Sequence, residues 1–348
     1  MFFNLGEEIA EAQSSPWASR WRVDGFLATG RHFRHYRVRN LAPGLEQQEA
    51  VLKVIKYDPE QCSDAQYVTT LRQRLARERD TLAHFSPRLP EPIDYFEITN
   101  QQDPFRGFGA ESLIHNEPVL VRALLHGESL GRLMQEQGAP PAPAELLLMG
   151  LARVCGFLDE LHASGRGWLF WELSPDHIIV DPDNDFEPSF VGCGNFRMLK
   201  SGQTVTTDSA PCPDAGYAAP EQLCDGPCTT ATDLYGLGAL LFHIFSGIDP
   251  RDLAENILQR QLPRRSSQPA LSPEQAARFC DELRTTIERF CRRNLKGLGI
   301  HRARLRHMIL RCLHPDPADR FASPLELREA ILNSLSRSMP LARRGNSH

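Results

Sequence analysis

Two charged residues stand where the local pattern calls for hydrophobes. Glu78 falls on the helical face marked by Leu75 and Leu82, because residues three and four apart lie one above the other on a helix. Lys53 sits in the middle of AVLKVIKY, two residues from both Val51 and Ile55, and so shares their face of a strand. A charge on a buried face is expensive unless paired. A strand lysine and a glutamate on the following helix are natural partners. From pattern alone a second reading stands beside that one: Lys53 on an exposed strand face, with Glu78 reaching water.

Other residues have weaker claims to chemistry. Asp181, Asp183 and Asp185 alternate like cation ligands, but the loop around them does not fit a calcium loop, and a solvated hairpin is favoured. Cys224 and Cys228 are separated by three residues, with Cys212 upstream, which is compatible with zinc spacing. No paired C-x-x-C accompanies them and no fourth ligand is evident, so dispersed loop and core thiols are favoured. Cys280 and Cys291 lie on a helical stretch as core residues.

The elements that must hold these residues follow from composition and period. The 348 residues are 41% hydrophobic and 24% charged, an ordinary globular composition that excludes a largely disordered chain and suggests about two domains or two lobes. Lys plus Arg is 39 and Asp plus Glu is 44, a net of −5, so there is no global basic field for nucleic acid. The nine cysteines are odd in number and scattered, which speaks for a reducing, cytoplasmic setting. The start carries neither a basic region nor a long apolar core, and no stretch reaches the roughly 20 apolar residues of a membrane span.

The first hundred residues read as strands with one helix. WRVDGFLATG and RHFRHYRVRN flank a turn at Ala28 to Arg31, AVLKVIKY is rich in Val and Ile, and IDYFEIT and PVLVRALL follow. Between them a helix is expected with Ser63 as its cap and Tyr67, Leu71, Leu75, Leu82 and Phe85 on one face. After a Pro/Ala linker at 138–143, Leu147, Leu151, Val154, Leu158 and Leu161 mark a core helix. HIIV and SFVG read as short strands around the acidic turn, and helices are expected at 231–246, 272–294, 302–313 and 324–335.

Taken in order, these strings resemble a eukaryotic-type Ser/Thr protein kinase domain over roughly residues 20–336. AVLKVIKY resembles the strand carrying the phosphate-binding lysine, and RLARERDTLAHF the lobe-coupling helix, so the resemblance makes Lys53 and Glu78 partners. LVRALLHGESLGRLM resembles the hinge, with Ala123 and Leu125 supplying backbone groups to an adenine ring. YAAPEQL, TDLYGLGALLFHIFSG and RCLHPDPADRFASPLEL resemble the close of an activation segment, the central helix and the final motif of the larger lobe. The resemblance pairs Glu221 with Arg320 and places Asp233 near the start of the central helix.

The same resemblance exposes substitutions. In FWELSPDHIIV, Glu172 takes the catalytic Asp position, Ser174 the following Lys position and His177 the Asn position, while Phe170 and Trp171 replace His and Arg. Gly192-Cys193-Gly194 replaces the metal-binding D-F-G. A glycine has no ligand to offer, and magnesium prefers oxygen donors to an imidazole. Of the three phosphate-loop glycines Gly30 remains; Ala28 and Phe33 take the flanking places. Arg122 falls at the back of the adenine pocket, where it could fill the space or pair with Glu78 or Glu172.

The resemblance therefore implies an α+β, bilobal protein-kinase-like fold. A small antiparallel β N-lobe with one helix is expected over 21–122, and a larger, mainly α C-lobe over 123–336 with an extra helix near 272–294. Residues 1–20 form an N-terminal extension and 337–348 a flexible basic tail. The implied function is that of a cytoplasmic pseudokinase, a regulatory or scaffolding protein with a protein partner, without nucleic acid or a membrane span. The resemblance leaves ATP open as a ligand, disfavours magnesium-dependent binding and assigns no metal site. Its alternatives are a low-activity Ser/Thr kinase working with Lys53 and Glu172, and a nucleotide-binding transferase of other chemistry.

Overall fold

The computed structural model describes residues 3–10, 20–30, 32–58, 61, 64–84, 88–99, 116–164, 167–199, 214–261, 271–295 and 302–336. They fall into two compact units. One draws on Met1–His126 and Ser189–Asn195, the other on Gly127–Pro188 and Phe196–His348. The border thus lies four residues beyond the expected 122, and a late segment joins the first unit.

The first unit is a six-stranded antiparallel sheet with one helix. Its strands are β1 (Glu8–Ala10), β2 (Arg20–Thr29), β3 (Phe33–Asn40), β4 (Glu49–Ile55), β5 (Pro92–Thr99) and β6 (Asn116–Ala123), in the order β1-β2-β3-β4-β6-β5. β1 was not foreshadowed by the pattern, being only three residues long. Trp21, Val23, Tyr36, Val38, Ala50, Leu52, Val54 and Val121 pack into one core cluster. The alternate residues of β4, Val51, Lys53 and Ile55, are buried as well, and α1 (Ala65–Leu82) packs on β4, β5 and β6. A strand buried on both faces reads as a continuous apolar run, which is why AVLKVIKY shows so little alternation.

Helix α1 begins at Asp64, whose side chain accepts from the amides of Gln66 and Tyr67. A carboxylate there satisfies amides that have no partner inside the helix. Ser63, the expected cap, and Phe85 lie outside the described residues. The buried face of α1 carries Val68, Leu71, Leu75 and Leu82, with Arg74 and Glu78 among them.

The second unit is mainly helical. It contains β7 (Glu128–Ser129), α2 (Leu130–Gln137), α3 (Ala144–Ala163), β8 (Trp168–Leu169), β9 (Ile178–Asp181), the first half of β10 (Glu187–Phe190) and β11 (Arg197–Met198). Then come α4 (Pro220–Leu223), α5 (Thr230–Ser246), α6 (Pro250–Gln261), α7 (Pro273–Asn294), α8 (Arg302–Cys312) and α9 (Pro324–Ser336). The four helices expected over the last third of the chain lie within one residue of their expected ends. α6 was missed because its sequence is polar and its buried residues are few: Pro250, Ala254 and Ile257.

Helix α5 is the pillar of this unit. Leu234, Tyr235, Leu240, Leu241, Phe242, Ile244 and Phe245 are each fully buried, and a helix buried all round lies inside a protein. Thr229 caps it through the amide of Ala231, and Gly247 ends it at φ +74°, a left-handed conformation that glycine adopts without strain. Around it, α3 packs on α9, and α7 and α8 pack on α5. Among the described residues no single helix is long and apolar enough to cross a membrane.

Candidate functional site

In the first unit Lys53 and Arg122 share one face of the sheet with Phe33. Directly opposed residues of an antiparallel pair share a face. Phe33 stands opposite Ile55, and Arg122 opposite Val51. Phe33, Lys53 and Arg122 therefore all lie on the face that α1 covers. Lys53 Nζ lies 2.5 Å from Glu78 Oε2, with Lys53 5% and Glu78 2% exposed. Of the two sequence readings, the paired one holds. Burial pushes the Lys53 ammonium below its usual range; Glu78 opposes that shift, and Arg122 and Arg74 add to it.

The Phe33 ring covers the other side of this lysine, its centroid 4.1 Å from Nζ. Arg122 is buried beside the pair, within the field of both Glu78 and Cys193. Burial lowers its guanidinium pKa, and Glu78 counteracts part of that. Its Nη1 donates to the carbonyl of Ala123 at 3.4 Å, while Nε has no hydrogen-bond partner among the described residues. The amide of Ala123 donates to Glu91 O. Leu125 is half-buried just beyond it.

The segment Ser189–Asn195 joins the first unit through a close approach to α1. A Cβ on Gly194 would lie 2.6 Å from Arg74 O and 3.2 Å from Glu78 Oε2, so only glycine fits. Arg74 donates through Nη2 to the side chain of Asn195. Cys193 is fully buried here, and burial together with Glu78 raises its thiol pKa. Gly192 has φ +82°. Sequence reading missed the Arg74–Asn195 bond because its partners lie 121 positions apart. The one signal for it was a second charge, Arg74, on the buried face of α1.

The second unit holds the remaining site residues. Asp233, 2% exposed, accepts from the amides of Phe170 at 2.8 Å and Trp171 at 2.9 Å, and from His162 Nε2 at 2.8 Å. Trp171 takes φ +76°, a region that costs an ordinary residue about 1–2 kcal/mol, and Asp233 helps to hold it there. Gln222 Nε2 donates to the Trp171 carbonyl at 2.9 Å. Phe170 and Trp171 are 1% and 3% exposed, so these aromatics pack. Phe170 lies against Phe196, ring centroids 4.8 Å apart.

Glu172 is half-buried at the position after Trp171. Its carbonyl lies 2.7 Å from His177 Nδ1, with Ser174 Oγ 3.2 Å from the same nitrogen. A carbonyl only accepts, so Nδ1 carries the proton and the ring is fixed in orientation. Gly30, in the first unit, donates its amide to Phe33 O at 2.8 Å; the turn to Arg31 lies outside the described residues in part.

Arg320 and Glu221 form a bidentate pair at 2.7 and 2.9 Å. The same guanidinium donates to the carbonyls of His314, Ala231 and Pro315, and Thr232 donates to Glu221. All five donors of an arginine are thereby used. Among the described residues no group of three His, Cys, Asp or Glu side chains could hold a metal. Cys212 lies outside the described residues; Cys224 and Cys228 approach the carbonyls of Glu221 and Gly226. Asp181 caps its own turn through the amide of Asp183.

Comparison with known proteins agrees with this architecture. No protein-family model matches the chain. The Ser/Thr-protein kinase PknL of Mycobacterium tuberculosis is 27% identical over 158 residues, which cover 43% of this chain and 37% of that protein. PkaA of Streptomyces coelicolor, also a Ser/Thr-protein kinase, is 30% identical over 180 residues, 51% of this chain and 31% of that protein. The DNA damage-responsive Ser/Thr-protein kinase RqkA of Deinococcus radiodurans is 28% identical over 234 residues, 67% and 30% of the two chains. The matched regions thus span about a third of the length of these relatives. The crystal structure of the Mycobacterium tuberculosis PknI kinase domain aligns over 96% of this chain and all of its own, with a TM-score of 0.56 and 19% identity. The chain has the bilobal α+β fold of protein kinase domains, and its relatives are Ser/Thr protein kinases.

Proposed function

We propose that the chain is a pseudokinase: a protein-kinase fold with absent or very weak phosphotransfer that acts by binding and regulating a protein partner. The observation that carries this reading is the Phe33 ring 4.1 Å from Lys53 Nζ. The nucleotide and magnesium that the fold implies do not fit the residues present. The ammonium that would meet the phosphates is enclosed by Phe33 and Glu78. Gly192 stands where a magnesium-binding carboxylate belongs, and the His177 ring is committed to the Glu172 carbonyl. Charge neutralisation on the transferring phosphoryl group is the main catalytic contribution in this chemistry. Lys53 and Glu78 then serve as a buried structural pair.

One alternative has an observation in its favour. Lys53 and Glu78 are paired as an active site requires, and the named relatives are kinases. A weak Ser/Thr kinase using Lys53, with Glu172 as the carboxylate near the substrate hydroxyl, is the reading this supports. Thermal shift with ATP, with and without magnesium, separates the two, alongside a phosphate-transfer assay. A flat response and no transfer are expected. Magnesium-dependent stabilisation together with transfer abolished by Lys53→Ala would overturn the pseudokinase reading.

A further inference from the structure

Basic residues are concentrated in one stretch of the second unit. Residues 284–311 hold nine Lys and Arg against one acidic residue, Glu288, a net of +8 in a chain of net −5. The rest of the chain therefore carries −13. The stretch comprises the C-terminal half of α7 and nearly all of α8, two helices that pack on each other. Their buried faces are apolar: Leu283, Ile287 and Cys291 on α7, Leu305, Met308 and Ile309 on α8. The arginines are left to the flanks and the outer surface. Arg289, Arg292, Arg293 and Arg302 are exposed.

Several arginines elsewhere are matched by carboxylates, as in Arg132 with Glu128 and Glu136, or Arg251 with Asp249 and Asp176. In this stretch Arg292 pairs with Glu288 and Arg311 with Glu326. Arg284 and Arg302 reach only backbone carbonyls, of Leu310 and Arg293. Arg289, Arg293, Arg304 and Arg306 have no carboxylate within ion-pair distance among the described residues, and Arg304 Nη1 is buried without a hydrogen-bond partner.

Helix stability does not account for the arrangement. Arg292 and Arg293 in the last turn of α7 complement the negative end of that helix. Arg302 and Arg304 lie in the first turn of α8, where no acidic residue occurs. The positive end of a helix favours carboxylates there and repels arginine. Cations held where the fold disfavours them await an anion from outside.

We propose that the α7–α8 face is a docking surface for an acidic segment of a partner protein. This names the partner class for the regulatory reading above, but it does not depend on whether the chain transfers phosphate. Eight of the nine cations are arginines, and a guanidinium matches a carboxylate with two parallel hydrogen bonds. A membrane surface would call for apolar side chains beside the basic ones. Among the described residues the large exposed hydrophobics are Leu5, Phe26, Leu45, Met149, Met198 and Leu325, none of them on α7 or α8.

The test uses the full chain and a fluorescein-labelled peptide of alternating Glu and Asp, read by anisotropy at two salt concentrations. Salt-sensitive binding is expected, weakened about tenfold or more in Arg289→Gln/Arg293→Gln/Arg306→Gln. That variant should melt no lower than the parent, because none of the three makes an ion pair that the fold needs. A control with the same charge change on the first unit, Arg20→Gln/Arg22→Gln/Arg37→Gln, should bind as the parent does. No binding, an equal loss in the control, or tighter binding of phosphatidylserine vesicles or of a duplex oligonucleotide would overturn the proposal.

Discussion

The two units each bury an ion pair, and the pairs differ in how completely they are satisfied. In the second unit Glu221 and Arg320 match one to one, and every donor of the guanidinium is used. In the first unit Lys53, Arg74 and Arg122 are buried with Glu78 as the carboxylate among them, and Arg122 Nε has no hydrogen-bond partner among the described residues. The former has the character of a clamp: it fixes α4 against the turn before α9, and nothing further could bind to it. In the latter the Phe33 ring lies over Lys53, its centroid 4.1 Å from Nζ. On the pseudokinase reading proposed above, the contrast is between a pair that holds the fold and one that would have met a nucleotide.

The comparison is broken most easily at the clamp. Arg320→Ala leaves Glu221 buried with only Thr232 as a partner, and removing one member of a buried pair costs about 3–5 kcal/mol. In a unit of this size that lowers the melting temperature by roughly 10 °C. Hydrogen exchange should accelerate in α4, α5 and α9 and remain unchanged in β3 and β4. An unchanged melting temperature would remove the clamp from the list of stabilising elements.

The first unit predicts an asymmetry that a balanced pair would lack. Glu78→Ala removes the carboxylate that offsets the buried Lys53 and Arg122, so it should cost about 3 kcal/mol or more. Lys53→Met keeps the volume and removes one excess cation, leaving Arg74 and Arg122 to balance Glu78. Its cost should be about 1 kcal/mol or less. Urea denaturation of both variants measures the difference. Equal costs would mean that Arg74 and Arg122 do not feel Glu78.

Much of this was legible in the sequence because it is local. Strands β2 to β6, the face of α1 and helices α5, α7, α8 and α9 follow from period and composition. Lys53 and Glu78 declared themselves as charges on apolar faces. What the sequence hid depends on which side chains converge from distant positions. Nothing around Phe33 says that its ring turns over Lys53; that follows only from the β3–β4 register, which pairs Phe33 with Ile55. Arg122 gave three options, and register with Val51 places it beside Glu78. Asp233 was noted for its place near a helix start, but its hold on the amides of Phe170 and Trp171 spans more than sixty positions. Ser63 was a sound cap by type, yet Asp64 is the residue whose carboxylate faces the free amides.

The metal position offers a smaller effect. Gly192 lies at φ +82°, where aspartate is tolerated better than most residues but still costs about 1 kcal/mol relative to glycine. Gly192→Asp alone should lose that much stability and gain no magnesium-dependent affinity for ATP, because Phe33 still covers Lys53. Gly192→Asp combined with Phe33→Gly should gain it. Calorimetric titration of both variants decides; a gain in the single variant would place the defect at the metal ligand alone and not at Phe33.

The smallest effect is a difference in alkaline response. Burial pushes the thiols of Cys155, Cys228, Cys280 and Cys291 in the second unit from the ordinary 9.0 up to about 12. A raised folded pKa means that the native state keeps protons the unfolded state has lost. The stability these thiols contribute is complete below pH 9 and is lost as pH rises toward 12. Cys193 acts with the same sign in the first unit, since burial raises it too. Lys53 acts against it. Burial lowers its pKa below the ordinary 10.5, so the unfolded state binds more protons over that interval and stability rises with pH up to 10.5. The first unit should therefore weaken less than the second between about pH 9 and 10.5. Pulsed alkylation with peptide mapping, corrected for intrinsic thiolate fraction, reads each unit separately. Cys155 and Cys280 should open more readily at the higher pH, and Cys193 less so. In Lys53→Met the offset is gone, and Cys193 should open along with the others; if it opens equally in the parent protein, the buried lysine does not carry the lowered pKa on which the contrast rests.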